Sequence, residues 1–401
     1  MTTTLGVTVV LPCLNEAETL EICIKKAKAG ILETGFEGEI IVADNGSSDG
    51  SQKIALDNEA KVISVSKKGY GAAIRAGIDA AKFEYILMAD SDDSYDLKNI
   101  PIFINELHNT DSDLVMGNRF QGGIAPGAMP WLHKHLGNPV LSFIGRLFFG
   151  GTIGDFHCGM RAFRKSSVQK LGLTTTGMEF ASEIIVKSIL SDKKIVEVPT
   201  SLKKDGRSRP PHLRTWRDGW RHLRFLLSYS PRWLFFYPGI ASIAMGMIFF
   251  SLLIKGPINF SGIQLSTQTL IFSSFMILLG QQLIWFSVLS KNLTRRLETY
   301  PIDKNWQKIL RIFNQEMNLI YFFLILLIGI IFLIASFKNW ANTNFGELNY
   351  VFAIKNGLIS GLLIFSSLQA IFFHFLLGVT NVSIAQADIF WKEYNNDSAE
   401  N

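Results

Sequence analysis

The chain has 401 residues, a formal net charge of +5 and three cysteines. That length exceeds one ordinary domain, and an odd cysteine set, Cys13, Cys23 and Cys158, without metal-like spacing supports neither a disulfide framework nor a Cys-based metal centre. The positive charge is modest and clustered: nine Lys or Arg lie between Lys203 and Arg232 against only Asp205 and Asp218, so no nucleic-acid partner is expected.

Met1 to Gly6 carries no basic segment ahead of its short apolar run, which Pro12 and Asn15 interrupt, and no signal peptide is expected. Val7–Leu11 is β-branched and reads as a strand; Glu18–Ala29 has helical spacing, with Leu20, Ile24 and Ala27 on one face. A second strand, Glu39–Ala43, runs into Asp44-Asn45-Gly46-Ser47-Ser48-Asp49-Gly50, and a helix starts at Ser51. Val62–Val65 is a third strand, ending at Lys67-Lys68-Gly69-Tyr70-Gly71, and Ala72–Ala81 the next helix. Tyr85–Ala89 and Leu114–Met116 complete five strands. Strands alternating with helices at this spacing give an α/β, Rossmann-like domain with a mostly parallel sheet, in which ligands bind beyond the carboxyl ends of the strands.

Those ends carry the chemistry. Tyr85–Ala89 stops in Asp90-Ser91-Asp92-Asp93-Ser94, and an Asp-x-Asp pair at a strand end offers hard oxygen ligands through which Mg²⁺ or Mn²⁺ can bridge to a diphosphate; a polar turn is the alternative. Asp92 is the expected metal ligand, with Asp90 on the ribose or the metal; Asp93 and Asp96 suit helix capping. Asp44 can accept from a base imide, and Gly69 and Gly71 permit close approach to phosphate or serve a structural turn. Arg119 suits a bidentate phosphate clamp, or else a salt bridge.

After the soluble half, Lys204-Asp205-Gly206-Arg207-Ser208-Arg209-Pro210-Pro211 reads as a basic loop able to close over a phosphate, with Lys204, Arg207 and Arg209 as its phosphate contacts. From Leu213, Trp216, Trp220, Leu223 and Leu227 recur at helical spacing, and Arg214, Arg217, Arg221 and Arg224 follow one position later. Such a helix lies in the headgroup layer or anchors the domain by charge. Trp233–Ile254, Thr267–Leu289, Met317–Phe337 and Asn356–Val379 are each long enough to cross a bilayer. Basic residues flank the first span and fill the loop from Lys291 to Arg311, which places the N-terminal half, that loop and the C-terminal tail in the cytoplasm of a multi-pass protein of the inner or plasma membrane. Gln281, Gln282 and His374 suit interhelical hydrogen bonds rather than a transport path. The expected divisions are a catalytic domain over 1–202, a basic loop and interface helix over 203–232, four spans over 233–383 and a tail over 384–401.

Val9-Val10-Leu11-Pro12-Cys13-Leu14-Asn15-Glu16, the Asp44–Gly50 turn and Asp90-Ser91-Asp92 together resemble the family 2 glycosyltransferases of the GT-A fold. Gly154-Asp155-Phe156-His157-Cys158-Gly159-Met160-Arg161, followed by four spans, is similar to the polyprenyl-phosphate branch containing dolichyl-phosphate mannose and glucose synthases. The resemblance implies transfer of one hexose, with inversion, from a nucleotide sugar to polyprenyl phosphate, dependent on Mg²⁺ or Mn²⁺. It puts Pro12, Asn15, Glu16, Asp44, Lys67, Gly71, Asp90 and Ser91 on the nucleotide sugar, and Asp92, Arg119 and Asp155 in catalysis, with Asp155 orienting the acceptor or taking a proton. A UDP-hexose is the expected donor, with GDP-mannose the alternative. Relatives that are tetramers suggest self-association. Processive synthesis is disfavoured, because Tyr229 stands where such enzymes carry Gln before the Arg232-Trp233 pair. A non-catalytic nucleotide-sugar scaffold would have no need of the Asp90–Asp92 pair.

Overall fold

A computed structural model describes residues 4–209, 215–297, 304–347 and 350–381. Pro210, Pro211, Leu213 and Arg214 of the basic segment, and the tail over 384–401, lie outside the described residues. The chain forms two compact units, Met1–Ser230 and Pro231–Asn401.

The first unit is an α/β layered structure. In chain order it comprises β1 (Thr4–Cys13), α1 (Leu20–Thr34), β2 (Gly38–Asp44), α2 (Ser51–Asp57), β3 (Lys61–Ser64), α3 (Tyr70–Ala80), β4 (Phe83–Met88), α4 (Ile100–Asn109), β5 (Leu114–Asn118) and the short α5 (Arg119–Gly122). There follow α6 (Asn138–Phe149), β6 (Arg161–Arg164), α7 (Lys165–Gln169), α8 (Phe180–Leu190), β7 (Ile195–Pro199) and α9 (Thr215–Tyr229). The seven strands are ordered β3-β2-β1-β4-β6-β5-β7. All pairings are parallel except those of β6, which runs antiparallel between β4 and β5. β6 was not foreseen because its sequence, Arg-Ala-Phe-Arg, contains no apolar run; β7 (Ile195–Pro199) was also missed.

β1 is buried on both faces, which is why it reads as a nearly continuous apolar run. Val7, Val9 and Leu11 join Leu20, Ile24 and Phe103 in one core, whereas Val10 faces Ile41, Ile74 and Ile86 in the other. The period-2 alternation thus builds both layers at once. Gly77 brings α3 close to the sheet: a Cβ there would lie 2.3 Å from Val10 Cγ1. The crossover direction reverses between β1 and β4, so their carboxyl ends flank the crevice in which ligands of such sheets bind.

The second unit contains α10 (Tyr237–Leu253), a small hairpin of β8 (Ile258–Phe260) and β9 (Ile263–Leu265), α11 (Thr267–Arg296), α12 (Lys304–Phe313), α13 (Met317–Ala341) and α14 (Tyr350–Thr380). Among the described residues, four helical stretches, Arg232–Leu253, Thr267–Arg296, Met317–Ala341 and Ala353–Thr380, are long and apolar enough to span a membrane. Glycines let α10 and α11 touch: a Cβ on Gly280 would lie 2.6 Å from the Gly239 carbonyl oxygen, the close approach by which membrane helices pack without a hydrophobic driving force. Gln281 donates to the Ser366 carbonyl oxygen at 2.7 Å and accepts from the Ser366 hydroxyl, so it joins α11 to α14. α12, unforeseen in the sequence, buries Trp306 and Leu310 against Trp285 and Phe373.

Candidate active site

The crevice between β1 and β4 is built from three loops that hold one another. After β1, Asn15 adopts a left-handed backbone with φ of 57°. Its amide N–H donates to Ser47 Oγ at 2.8 Å, and its side-chain oxygen accepts from the Ser48 N–H at 2.8 Å. The Glu16 and Ala17 N–H groups donate to Ser51 Oγ and Asp49 Oδ2, both at 2.9 Å. The Asp44–Gly50 turn is thereby a brace for the β1 loop. Asp44 is buried, and its carboxylate accepts from the Gly46 and Ser47 N–H groups and, at 2.6 Å, from Gln52 Nε2. Expected to read a base, it is engaged in its own turn. Asn45 reaches the third loop, donating to the Val65 and Lys67 carbonyls and accepting from the Gly69 N–H at 2.7 Å. The Lys67 side chain is exposed. Gly71 has a packing reason to be glycine, since a Cβ would lie 2.7 Å from Phe180 Cβ.

The fourth strand delivers the carboxylates. Ser91 Oγ donates to the Pro12 carbonyl at 2.8 Å, and Thr19 Oγ1 donates to the Ser91 carbonyl at 2.6 Å, which fixes the β4 loop beside β1. Asp92 Oδ1 accepts from Ser94 Oγ at 2.6 Å, while its Oδ2 meets Arg207 Nη2 at 2.5 Å. Arg207 also contacts Glu16 Oε1 at 3.2 Å and Asp205 at 3.0 Å. Arg209 pairs with Glu16 Oε1 at 2.9 Å and donates to the Asn15 carbonyl at 2.7 Å. The basic loop therefore closes over the site, with both expected phosphate-binding arginines on carboxylates. Ser208 adds two bonds to Glu18. Lys204 is exposed beside them.

Electrostatics follow from this crowding. Burial, reinforced by the negative charge of Asp92, pushes the Asp90 carboxyl up to about 6. Burial raises Glu16 as well, against the opposing pull of Arg207 and Arg209. Glu16 Oε2 is buried and has no hydrogen-bond partner. Gly159 lets a later turn pass over Asp90, since a Cβ there would lie 2.3 Å from Asp90 Oδ2. Asp93 pairs with Lys26 at 2.6 Å, and Asp96 caps the turn at Leu97.

Arg119 and Asp155 form a second, deeper pair. Arg119 Nε and Nη2 donate to Asp155 Oδ2 and Oδ1 at 2.6 and 2.7 Å, and the Arg119 N–H adds a bond of 3.1 Å. Asp155 is fully buried and also accepts from the His157 N–H at 3.2 Å. The guanidinium fork expected on phosphate is thus matched to a carboxylate, and Asp155, expected to orient the acceptor or take a proton, has both oxygens engaged by donors.

Comparison with known proteins bears on this arrangement. The profile for "Glycosyl transferase family 2" matches residues 8–172, and that for the "Glycosyltransferase family 2 C-terminal transmembrane region" matches residues 288–381. The low-salt glycan biosynthesis hexosyltransferase Agl6 of Haloferax volcanii is 37% identical over 282 residues, covering 70% of this chain and 67% of that protein. The chain belongs to glycosyl transferase family 2. It is a hexosyltransferase with a C-terminal membrane region, and its first unit has a GT-A-like fold. A dolichyl-phosphate hexose transferase of the same organism is 30% identical over 167 residues, covering 41% of this chain and 70% of that protein. Glucosyl-3-phosphoglycerate synthase of Mycobacterium tuberculosis, solved with Mn²⁺ and UDP, is 20% identical with a TM-score of 0.44, over 56% of this chain and 78% of that one.

Several residues that shape this family 2 site were given no role from the sequence, although His157 and Arg161 lie in the Gly154–Arg161 segment. Glu197, on β7, accepts from the Gly154 and Asp155 N–H groups at 2.9 and 3.1 Å and so positions the Asp155 turn. Buried Arg161 holds the same turn by donating to the Cys158, Phe156 and Ala181 carbonyls. His157 and His222 lie edge to face with centroids 4.5 Å apart, and His222 Nδ1 shares a 2.8 Å hydrogen bond with Ser182. Burial, opposed by Asp218, lowers His222 to about 4. Only the helical spacing of α9, which puts His222 opposite Trp216 and Trp220, could have marked it as inward-facing.

Proposed function

We propose that this membrane-associated hexosyltransferase moves one hexose, with inversion, from a nucleotide sugar, a UDP-hexose in preference to GDP-mannose, to the phosphate of a polyprenyl lipid. The observation that carries the reading is the cluster of Glu16 and Asp92, with Asp90 on the same loop, at the β1–β4 crevice under Arg207 and Arg209. Among the described residues no three such side chains are gathered as a ready-made metal site; what suits a divalent cation is the chemistry of the donors, which are hard carboxylate oxygens, with Glu16 Oε2 buried and without a partner. Asp92 and Asp90 would hold Mg²⁺ or Mn²⁺, which supplies electrostatic stabilisation to the departing diphosphate.

The remaining work falls to the chain's own groups. Arg207 and Arg209, held on Asp92 and Glu16 here, would be free to turn toward phosphate oxygens if a cation took up the Asp92 and Asp90 carboxylates, and Lys204 stands exposed on the same loop. The acceptor phosphate is already largely ionised near neutral pH, its second pKa being about 6, so no strong base is needed. That agrees with an Asp155 held by Arg119: the pair orients the acceptor end of the site and takes no proton. The dolichyl-phosphate hexose transferase among the relatives supports the acceptor class. The basic flanks of the spans support a cytoplasmic catalytic unit.

The test offers purified protein in detergent Mg²⁺ and undecaprenyl phosphate with UDP-glucose, UDP-galactose, UDP-N-acetylglucosamine or GDP-mannose separately, with Asp92→Ala as control. One donor is expected to be used, and the variant to be inactive. Transfer by the variant at the wild-type rate refutes the site assignment.

A further inference from the structure

Two glutamates stand at the start of α8, and the fold treats them differently. Glu183 is fully buried and saturated with donors: it accepts from the Thr174 and Thr175 N–H groups, both at 2.9 Å, from both threonine hydroxyls, and from Lys187 Nζ at 2.9 Å. Those bonds clamp the segment that leads into the helix. Glu179, at the helix start, makes no side-chain cap, and its Oε2 is buried with no hydrogen-bond partner. A buried acceptor left unpaired costs the desolvation of that group, so native structures usually supply it with a donor. Gly177 makes room for this carboxylate, since a Cβ there would lie 2.5 Å from Glu179 Oε2.

The start of α8 is held beside Asp90 from two sides. On one side the clamped segment lies on the loop after β3: the Thr176 carbonyl accepts from the Ala72 N–H at 3.2 Å, and a Cβ on Gly69 would lie 2.1 Å from the same oxygen. Gly71 meets Phe180, the first residue of α8, and Tyr70, between those two glycines, reaches the Asp90 carboxylate with its hydroxyl. On the other side Arg161 donates to the Ala181 carbonyl and to the Cys158 carbonyl, both at 2.8 Å, which ties the first turn of α8 to the Asp155 turn. Gly159 of that turn passes over Asp90. Glu179 is thereby placed between the β3 loop and the Asp155 turn, next to the carboxylates of the β4 loop.

With the diphosphate of a nucleotide sugar at Asp90 and Asp92 and the acceptor end at Asp155, the transferred hexose lies between them. We propose that Glu179 is a specificity-determining residue for the donor, its carboxylate accepting hydrogen bonds from hydroxyls of the hexose ring. An ionised carboxylate only accepts, and a sugar hydroxyl donates. An epimer that turns its hydroxyl away leaves a buried acceptor unpaired, the mismatch by which polar sites discriminate most strongly. The proposal rests on the nucleotide-sugar reading above and does not depend on the identity of the acceptor.

The test is calorimetric binding by the full chain in detergent, with Mg²⁺ and no acceptor, of UDP-glucose, UDP-galactose, UDP-N-acetylglucosamine, GDP-mannose, UDP and GDP. Glu179→Ala is expected to weaken the tightest-binding sugar nucleotide about tenfold or more and to leave the matching free diphosphate within about twofold. The preference among the four sugar nucleotides narrows accordingly. Gly177→Ala is the second variant: the added Cβ meets only the far end of a flexible side chain, so the charge stays and its position moves. It is expected to weaken the same sugar nucleotide while melting with wild type. Unchanged binding of that sugar nucleotide by both variants overturns the proposal. So does an equal loss of the free diphosphate, which would make Glu179 a support for the nucleotide loop. Wild type that binds none of the four sugar nucleotides refutes the donor reading and this proposal with it, a result distinct from the other two.

Discussion

Removing one partner of the Arg119–Asp155 pair separates a structural from a proton-transfer role. The two side chains are 9% and 0% exposed and joined by two charge-assisted bonds of 2.6 and 2.7 Å. Asp155→Asn keeps the shape but leaves a buried guanidinium without its counter-charge, and Arg119→Met strands the carboxylate. Breaking such a pair costs about 3–5 kcal/mol, which in a unit of this size lowers the melting temperature by about 6–20 °C. Replacing both with apolar residues, Arg119→Met with Asp155→Leu, leaves no stranded charge, so the double variant is expected to lose less than the sum of the singles. The assay is thermal unfolding of the detergent-solubilised chain followed by intrinsic fluorescence, with hexose transfer measured well below each transition. If Asp155 only positions, Asp155→Asn retains a measurable rate whose pH profile matches that of wild type. Single variants that melt with wild type, or additive losses in the double variant, would refute the buried-pair reasoning.

Other consequences are more local. Arg207→Ala leaves Glu16 and Asp92, 7% and 12% exposed, without their shared cation. Its thermal stability is expected to fall without metal and recover with millimolar Mg²⁺, a recovery larger than that of wild type, read by differential scanning fluorimetry. His222 sits in the folded chain at about 4, below its ordinary value of 6.5. The unfolded chain therefore binds the extra proton first, and this stabilisation, present above pH 6.5, is lost as pH falls toward 4. The loss is about 3 kcal/mol, and His222→Leu should flatten that part of a urea-denaturation pH profile. Gly280→Leu inserts a side chain where even a Cβ meets the Gly239 carbonyl oxygen at 2.6 Å. It is expected to loosen α10 from α11, seen as faster proteolysis of the membrane unit while nucleotide binding in the first unit is kept.

The strands with an apolar run were legible because burial on both faces imposes one; β1, β2 and β4 are read directly. β6 was hidden because its two arginines make their bonds to backbone carbonyls and to Asp111, contacts that only the folded chain creates. Asp90, Asp92 and Glu16 were singled out from their place at strand ends, which the sheet topology brings to one edge. Their partners were not. Arg207 lies 115 positions from Asp92, and no local pattern encodes that bond. Asp44 was legible as a candidate, but its oxygens are also engaged by Gln52, eight positions later in the first turn of α2.

The central claim is the acceptor. Purified protein, Mg²⁺ and the preferred nucleotide sugar, incubated with and without undecaprenyl phosphate and followed by mass spectrometry of the lipid fraction, test it most directly. The account predicts a lipid carrying a single hexose on its phosphate, formed only when the polyprenyl phosphate is present. A polymer, or sugar transfer that proceeds equally well without that lipid, would contradict it.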